Sequence, residues 1–286
     1  SVSDLFLPRG DAVVETRARD PRESETYRAR TPDAYEGLTV AVLVDGYSAS
    51  AAEIVAGALQ DHDRAVVIGT TSFGKGLVQD IFQLEGGWAL KLTTGRWYTP
   101  SGRTIQRERR INAQGRLEEV PQDSMAERPV FRSDAGRPVY GGGGITPDVA
   151  VNPDSLVGAE RELMRLLATR GAVVNEVLQE MAVDLGLEAR PDFRSAPERR
   201  EDLLRRLERE GMRVDPEKYR AGGALVDRLL EDRVLQFAYG DSASFRRTVP
   251  RDRQLQSAIE VLRGARTQTD ALARAAARPA APRTRS

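Results

Sequence analysis

The sequence has no cysteine, one histidine and only three lysines among its 286 residues. Without cysteine the chain cannot form disulfide bonds or thiolate metal sites, and it cannot use a thiol as a nucleophile. Its single histidine, His62, cannot build a histidine-rich metal cluster. No metal and no other cofactor is expected for this chain. Because lysine is so rare, Lys75 in its glycine-rich setting is a conspicuous position.

Net charge and long apolar runs are also missing. Lys plus Arg and Asp plus Glu both number 43, so no overall field draws the chain to nucleic acid, and no nucleic-acid partner is expected. The longest apolar stretch, residues 38–44, is too short to span a bilayer. The sequence starts with Ser1, and residues 5–7 read as the end of an element. This start predicts a processed chain or part of a longer protein.

The first half of the chain alternates apolar, β-branched runs with a helical pattern, which predicts an α/β fold. Expected strands cover residues 12–16, 38–44, 64–69, 78–84 and 88–98, and residues 145–151 return to the sheet. A helix is expected from Ser48 to Gln60, with Glu53 in its first turn, where the helix dipole favours a carboxylate. Residues 107–144 are polar and arginine-rich, which predicts a long surface loop.

The pattern changes to the helical period at about residue 155, where leucines recur on one face. This pattern predicts four or five amphipathic helices. The expected organisation is therefore an α/β core over residues 1–154, a helical C-terminal appendage over 155–264 and a disordered tail rich in Ala, Arg and Pro over 265–286.

Residues 44–79 carry the chemistry, and one interpretation of them is a phosphate-binding loop. Gly69–Lys75 matches G-x-x-x-x-G-K and follows a predicted strand, which would make the chain a nucleotide-binding protein. However, Gly76 stands where the Mg²⁺-binding hydroxyl belongs, and a strand follows in place of a helix.

A second interpretation is the nucleophile turn of an α/β-hydrolase. Gly46–Ser50 places Ser48 between a buried strand and a helix, as that turn requires, but it lacks the second glycine. His62, the only histidine, lies on or just after the same helix. It is interpreted as a solvated residue at the helix end.

The third interpretation is a serine–lysine dyad. Serine needs a base to take its proton, and lysine is a base only when neutral, which burial favours by lowering a lysine pKa by up to roughly 3–5 units. Lys75 has apolar and glycine neighbours, and no acidic residue lies between 64 and 79. This setting can desolvate the amine, although the same residues also fit a lysine that extends from a turn into solvent.

Residues 48–54 and 73–79 together closely resemble the carboxyl-terminal processing peptidases, also called tail-specific proteases. These are Ser–Lys endopeptidases with a fold akin to the ClpP and crotonase cores. The resemblance implies that Ser50 is the nucleophile and that Lys75, twenty-five positions later, is the base. It also implies that Gln79 helps to hold the lysine and that the Ala51 amide is one oxyanion donor.

Residues 3–7, 99–106 and 143–148 extend the resemblance, which covers about residues 1–152. The family normally carries a PDZ domain and an earlier segment with the second oxyanion donor, and neither is in this sequence. The resemblance therefore implies the C-terminal part of a larger enzyme. It also implies polypeptide substrates with apolar C-termini, a periplasmic or envelope location in bacteria, and membrane association through an N-terminal segment. A non-catalytic binding or scaffold protein with the same fold is the alternative.

Overall fold

The computed structural model describes residues 1–112, 114–115, 117–119, 128–153, 156 and 158–278. The strands of this part are β1 Ala12–Ala18, β2 Glu25–Arg28, β3 Ala41–Val44, β4 Val66–Gly69, β5 Leu77–Gln83, β6 Ala89–Tyr98, β7 Arg109–Ile111, β8 Leu117–Glu119, β9 Val130–Arg132, β10 Pro138–Tyr140 and β11 Val149–Ala150. Its helices are α1 Ala51–Asp61, α2 Gly158–Ala168, α3 Gly171–Gly186, α4 Pro197–Arg209, α5 Pro216–Ala221, α6 Gly223–Tyr239, α7 Asp241–Thr248, α8 Arg253–Leu262 and α9 Gln268–Ala276. None of the helices in these ranges is both long and apolar enough to cross a membrane.

The chain forms two compact units. One unit contains residues 1–153 and the residues from Ser257 onward, and the other contains residues 154–256. The first unit mixes helices and sheets, in agreement with the predicted α/β class. The narrower ClpP- and crotonase-like assignment stays a prediction.

A parallel sheet with the strand order β11-β4-β3 lies at the centre of the first unit. All four residues of β4 are buried, as its Val-Val-Ile-Gly sequence indicates for a strand covered on both faces. Val67 faces Ala56 of α1, whereas Val66 and Ile68 pack with side chains of α8 and α9. Helices therefore cover both faces of this sheet.

A second, antiparallel sheet has the order β2-β1-β6-β5. β5 and β6 form a long hairpin that turns at Gly86–Gly87 and pairs Ile81 with Lys91 and Phe82 with Leu90. β5 lies at the edge of the sheet, and its last five residues are exposed. The chain thus passes directly from the central sheet into an open edge strand through residues 70–76.

The start of α1 differs from the prediction, because the helix begins at Ala51 and not at Ser48. Asp45 Oδ1 accepts hydrogen bonds from the Ser48 N–H (2.9 Å) and hydroxyl (3.0 Å). These bonds hold the chain in a turn after β3, so that helical geometry starts only after Ser50.

The segment predicted as a long surface loop, residues 107–144, contains four short strands. β7 pairs with β8 and β9 pairs with β10, both antiparallel. Val139 is buried, so part of this polar segment contributes to the core. Residues 113, 116 and 120–127 of the predicted loop lie outside the described residues.

In residues 154–256 the described elements are helices, α2 to α7 and the first turn of α8. The leucines that recur at helical spacing supply much of the core of this unit. The leucines of this unit that are almost fully buried are Leu163, Leu167, Leu178, Leu203, Leu207, Leu225, Leu230 and Leu235.

The end of the chain differs from the predicted organisation. α8 continues past Ser257 into the first unit, and α9 lies within the segment predicted as a disordered tail. Ala271, Leu272 and Ala275 of α9 pack on the parallel sheet. Two of these three are alanines, which give a weak periodic signal in the sequence but fit closely against a flat sheet. Residues 279–286 of the predicted tail lie outside the described residues.

Candidate active site

Ser50 lies in the turn between β3 and α1 and is half-buried. Its φ of 59° and ψ of −118° fall in a region that residues other than glycine rarely adopt. Holding a residue in such a conformation costs about 1–3 kcal/mol of folding free energy, so it persists only where the surrounding structure enforces it. Here the Ser50 N–H donates to Glu53 Oε2 at 2.9 Å, which completes a capping box at the start of α1.

The structure separates Ser50 from Ser48, the serine of the hydrolase interpretation. The Ser48 hydroxyl donates to Asp45, so it serves the turn. His62 lies at the opposite end of the eleven-residue α1, about 16 Å away along the helix, and its ring nitrogens bond to Asp134 and the Ala12 carbonyl. A Ser48–His62 pair is therefore excluded. The histidine is also mostly buried, not solvated as predicted, because two neighbouring segments cover it.

Lys75 lies on the segment that connects β4 with β5. The segment continues into strand β5, as predicted, and not into a helix. A phosphate-binding loop needs that helix, since its free N–H groups and dipole hold the phosphates. The nucleotide-binding interpretation therefore lacks its structural context.

One buried carboxylate joins the Ser50 turn to the Lys75 segment. The Glu53 side chain is fully buried and accepts four hydrogen bonds. The donors are the Ser72 hydroxyl (2.5 Å) and the N–H groups of Gly74 (2.7 Å), Lys75 (2.8 Å) and Ser50 (2.9 Å). The last two bond to the same oxygen, Oε2, so the main-chain nitrogens of Ser50 and Lys75 are close neighbours. Four donors satisfy a charge that would otherwise be costly to bury.

Glu53 and Ser72 are the site residues that the sequence argument missed. Sequence reasoning assigned Glu53 only to the helix start, where its capping role is indeed observed. The bonds to Ser72, Gly74 and Lys75 cross 19 to 22 positions of sequence, and no local pattern signals them. Residues 64–79 contain no acidic residue, so any carboxylate that contacts this segment has to come from another part of the chain.

Gly144 supports the same segment from the other side. Its φ is +84°, and a side chain there would place Cβ 2.5 Å from the Ser72 carbonyl oxygen. The next residue, Ile145, exchanges hydrogen bonds with Ser72 through its N–H (2.6 Å, to the hydroxyl) and its carbonyl (3.1 Å). The glycine-rich run therefore allows a close approach that fixes Ser72, which in turn bonds to Glu53.

The side chains of Lys75 and Gln79 are both exposed. Among the described residues, the Lys75 ammonium makes no hydrogen bond or ion pair, and the Gln79 carboxamide lies 3.4 Å from the Thr93 hydroxyl rather than on the lysine. The predicted desolvation of Lys75 is thus not present in this structure. The reason is the open edge of β5, which leaves the segment in front of it accessible to water.

Ala51, the expected oxyanion donor, is the first residue of α1 and is exposed. The N–H groups in the first turn of a helix have no intrahelical acceptor and point along the axis, together with the positive end of the dipole. An anion formed beside Ser50 would meet this end of the helix.

Comparisons with known proteins agree with the sequence resemblance. The model of peptidase family S41 matches residues 1–113. A carboxy-terminal-processing protease of Bartonella bacilliformis is 52% identical over 106 residues, which are 37% of this chain and 24% of that protein. The chloroplastic carboxyl-terminal-processing peptidase 1 of Arabidopsis thaliana is 38% identical over 97 residues, which are 34% of this chain and 20% of that protein.

Among solved structures, a photosystem II D1 C-terminal processing protease is similar at 25% identity. The match covers 53% of this chain and 30% of that one, and its TM-score of 0.36 is too low to equate the two folds. The matching part of this chain spans between a fifth and a quarter of the length of the curated relatives described above. The similarity to peptidase family S41 therefore lies in residues 1–113 of this chain.

Proposed function

We propose that this chain supplies the Ser–Lys dyad of a serine-type endopeptidase that cleaves polypeptides near their C-termini. Ser50 is the nucleophile, Lys75 the general base, and the Ala51 N–H one oxyanion donor. The observation that carries the proposal is that one oxygen of the Glu53 carboxylate, Oε2, accepts hydrogen bonds from the main-chain N–H groups of both Ser50 and Lys75. Lysine has a flexible four-carbon stem, which can carry its amine from that position to the Ser50 hydroxyl.

The reaction needs only groups of the chain, the substrate and water. Neutral Lys75 takes the Ser50 proton as the serine oxygen bonds to the peptide carbonyl carbon, and the Ala51 N–H donates to the resulting oxyanion. Protonated Lys75 gives its proton to the amine that leaves as the C–N bond breaks. Water then attacks the acyl-enzyme and regenerates Ser50.

Water exclusion is the remaining requirement, since a lysine in water is charged and is no base. Lys75 is exposed in this structure. A polypeptide substrate that lies over the Lys75 segment would remove that water, so we propose that the dyad becomes competent when substrate covers it. Gln79, four residues further along β5, is kept as the proposed partner of the amine in that covered state.

The relatives support the substrate class through their names, which describe carboxy-terminal processing. Apolar C-termini as the preferred substrates and the bacterial envelope as the place of action are part of the same proposal, and both rest on the sequence resemblance.

The proposal is tested with the complete polypeptide as the cell makes it, on casein and on a protein with an apolar C-terminal tail. Ser50→Ala and Lys75→Ala are each expected to lower the cleavage rate by about 1,000-fold or more, because neither half of a nucleophile–base pair works alone. Ser242→Ala and Lys91→Ala, both at exposed positions, are the matched controls and should retain cleavage. A fluorophosphonate probe should label the unmodified protein but not the Ser50→Ala variant. Unchanged cleavage in either dyad variant would refute the assignment.

A non-catalytic binding protein is the second candidate, and the exposed Lys75 side chain favours it. A protein of this kind would bind tailed peptides without cleaving them and would not react with the fluorophosphonate. The same experiment therefore separates the two functions.

A further inference from the structure

The three residues around Lys75 are held by hydrogen bonds on both sides. Towards α1, the Gly74 and Lys75 N–H groups bond to Glu53. On the other side, the Gly74 carbonyl accepts from the Arg107 N–H (3.0 Å) and the Gly76 carbonyl accepts from a strand β6 N–H (2.8 Å). The Gly76 N–H, which directly follows Lys75, donates to Gln106 Oε1 at 2.9 Å.

Gln106 differs from the other partners on this side because it acts through its side chain. Its Nε2 donates to the Arg107 carbonyl at 2.6 Å, so both ends of the carboxamide are engaged and the orientation of the group is set. A Cβ atom on Gly76 would lie 2.8 Å from the main-chain nitrogen of Gln106. The main chains of the two segments are therefore in close contact, and the Gln106 side chain is half-buried beside them.

We propose that Gln106 is a positioning residue for Lys75, an inference that rests on the proposed function. By holding the Gly76 N–H, Gln106 sets the direction in which the Lys75 side chain leaves the main chain. Glu53 fixes the peptide before Lys75 and Gln106 fixes the peptide after it, so the lysine is held at both ends. Gln79 makes no such bond in this structure, because its carboxamide lies beside Thr93.

The experiment compares Gln106→Leu with Gln83→Leu in the complete polypeptide. Gln83 is an exposed glutamine at the far end of β5, and its variant is the matched control. Leucine at 106 keeps a similar volume but leaves the Gly76 N–H without its acceptor. We expect kcat to fall about 10- to 100-fold with KM within about twofold, because the loss affects a group used in the reaction and not in substrate binding. Gln83→Leu should change neither constant.

Two further measurements separate positioning from a general loss of structure. Fluorophosphonate labelling of Ser50 should slow by the same factor as kcat, since labelling needs Lys75 to take the serine proton. Amide exchange at Gly76 should accelerate in Gln106→Leu while the core of β4 stays protected.

If the leucine variant does not fold, Gln106→Glu replaces it. Glutamate keeps an acceptor for Gly76 but places an oxygen against the Arg107 carbonyl, so a smaller loss of kcat and of labelling is expected.

The possible results separate this inference from the proposed function. If folded Gln106→Leu keeps its kcat and labelling rate while Ser50→Ala and Lys75→Ala are inactive, Gln106 has no positioning role and the peptidase assignment stands. A raised KM with unchanged kcat would also overturn the inference, because Gln106 would then serve substrate binding. Activity that persists in Ser50→Ala overturns both.

Discussion

The two compact units of this chain are stabilised in different ways. In its described residues, the helical unit buries one cluster of 18 apolar residues, most of them spaced at the helical period. The unit that carries the candidate site divides its buried apolar residues among three smaller clusters. It also buries several polar side chains. These are Ser3, Glu53, Gln60, Asp61, Ser72, Thr99, Arg103, Ser133 and Ser257, whereas the described part of the helical unit buries two, Glu160 and Glu231.

A second polar group besides Glu53 shows what these buried residues do. Arg103 is 0% exposed and donates to Asp61 (2.7 Å), to the Gln60 side chain (2.7 Å) and to the Tyr140 carbonyl (3.0 Å). Arg103, which lies in the segment after β6, thereby ties the end of α1 to the end of β10. Hydrogen bonds are directional and apolar contacts are not, so these polar contacts define loop positions in the unit that carries the site, whereas the apolar cluster of the helical unit contributes mainly stability.

Of the variants that test this comparison, Arg103→Leu is expected to lower stability the most, and only in the unit that carries the site. It leaves the Asp61 carboxylate buried without its cation, which costs about 3–5 kcal/mol. Hydrogen exchange followed by mass spectrometry should show faster exchange in peptides of residues 51–69 and unchanged exchange in peptides of residues 158–248. The double variant Arg103→Leu with Asp61→Leu should recover part of the loss, because both charges are gone. Equal loss of protection in the helical unit would contradict the contrast.

Leu230→Ala tests the helical unit in the same way. Leu230 is fully buried, and removing its side chain should cost about 2–5 kcal/mol through lost burial and the remaining cavity. Exchange should accelerate in peptides of residues 158–248 and stay the same at α1. Leu187→Ala, at a position that is 83% exposed, serves as the control and should change stability by about 0.5 kcal/mol or less. A similar loss in both variants would show that the leucine cluster is not the source of stability.

Glu53→Gln sharpens the comparison at the candidate site. The amide keeps the volume but turns an NH₂ group toward N–H donors, so at least one buried donor loses its acceptor, at about 1–3 kcal/mol. Fluorophosphonate labelling of Ser50 should slow by at least about tenfold because the Ser50 and Lys75 segments lose their common partner. Glu85→Gln, an exposed substitution at the turn of the hairpin, should leave labelling unchanged. Labelling that is equal in both variants would remove Glu53 from the site.

His62 provides the smallest effect, and it depends on pH. Burial lowers the pKa of His62, but the hydrogen bond to Asp134, the bond to the Ala12 carbonyl and the charges of Asp134 and Asp11 outweigh it, so the pKa is raised above 6.5. Both partners are acceptors, so both ring nitrogens have to donate, which only the charged ring can do. The contribution to stability is therefore complete below pH 6.5 and is lost as the pH rises through the folded-state pKa.

Urea unfolding of the full chain and of His62→Gln at pH 5.5 and pH 8.5 checks this sign. The difference in unfolding free energy should be larger at pH 5.5. Because the chain has one histidine, its imidazole gives a single set of NMR signals, whose titration midpoint should lie above that of an unfolded peptide. A midpoint at or below the peptide value would show that Asp134 does not pair with His62.

The helical unit illustrates how far sequence reasoning reaches. Its leucines recur at helical spacing, and each helix needs only its own residues to show the pattern, so the buried positions could be predicted. α9 could not be predicted in this way, because Ala271 and Ala275 add almost nothing to an apolar pattern in the sequence. Only the sheet surface that they contact makes them core residues.

The sequence by itself determined the strands around the site, the turn at Gly86–Gly87 and the position of Lys75 between two strands, because local periodicity and motif spacing encode these features. It did not determine that α1 begins only after Ser50. The tertiary structure alone decided that Glu53 receives donors from two segments, that Gln106 holds the residue after Lys75, and that the Lys75 side chain faces solvent. The first two depend on groups 19 or more positions apart that meet only after the two sheets and α1 have packed, and the third follows from the open edge of β5. The type of a residue determines which hydrogen bonds its side chain can make, and the residues that pack around it determine which of those bonds form.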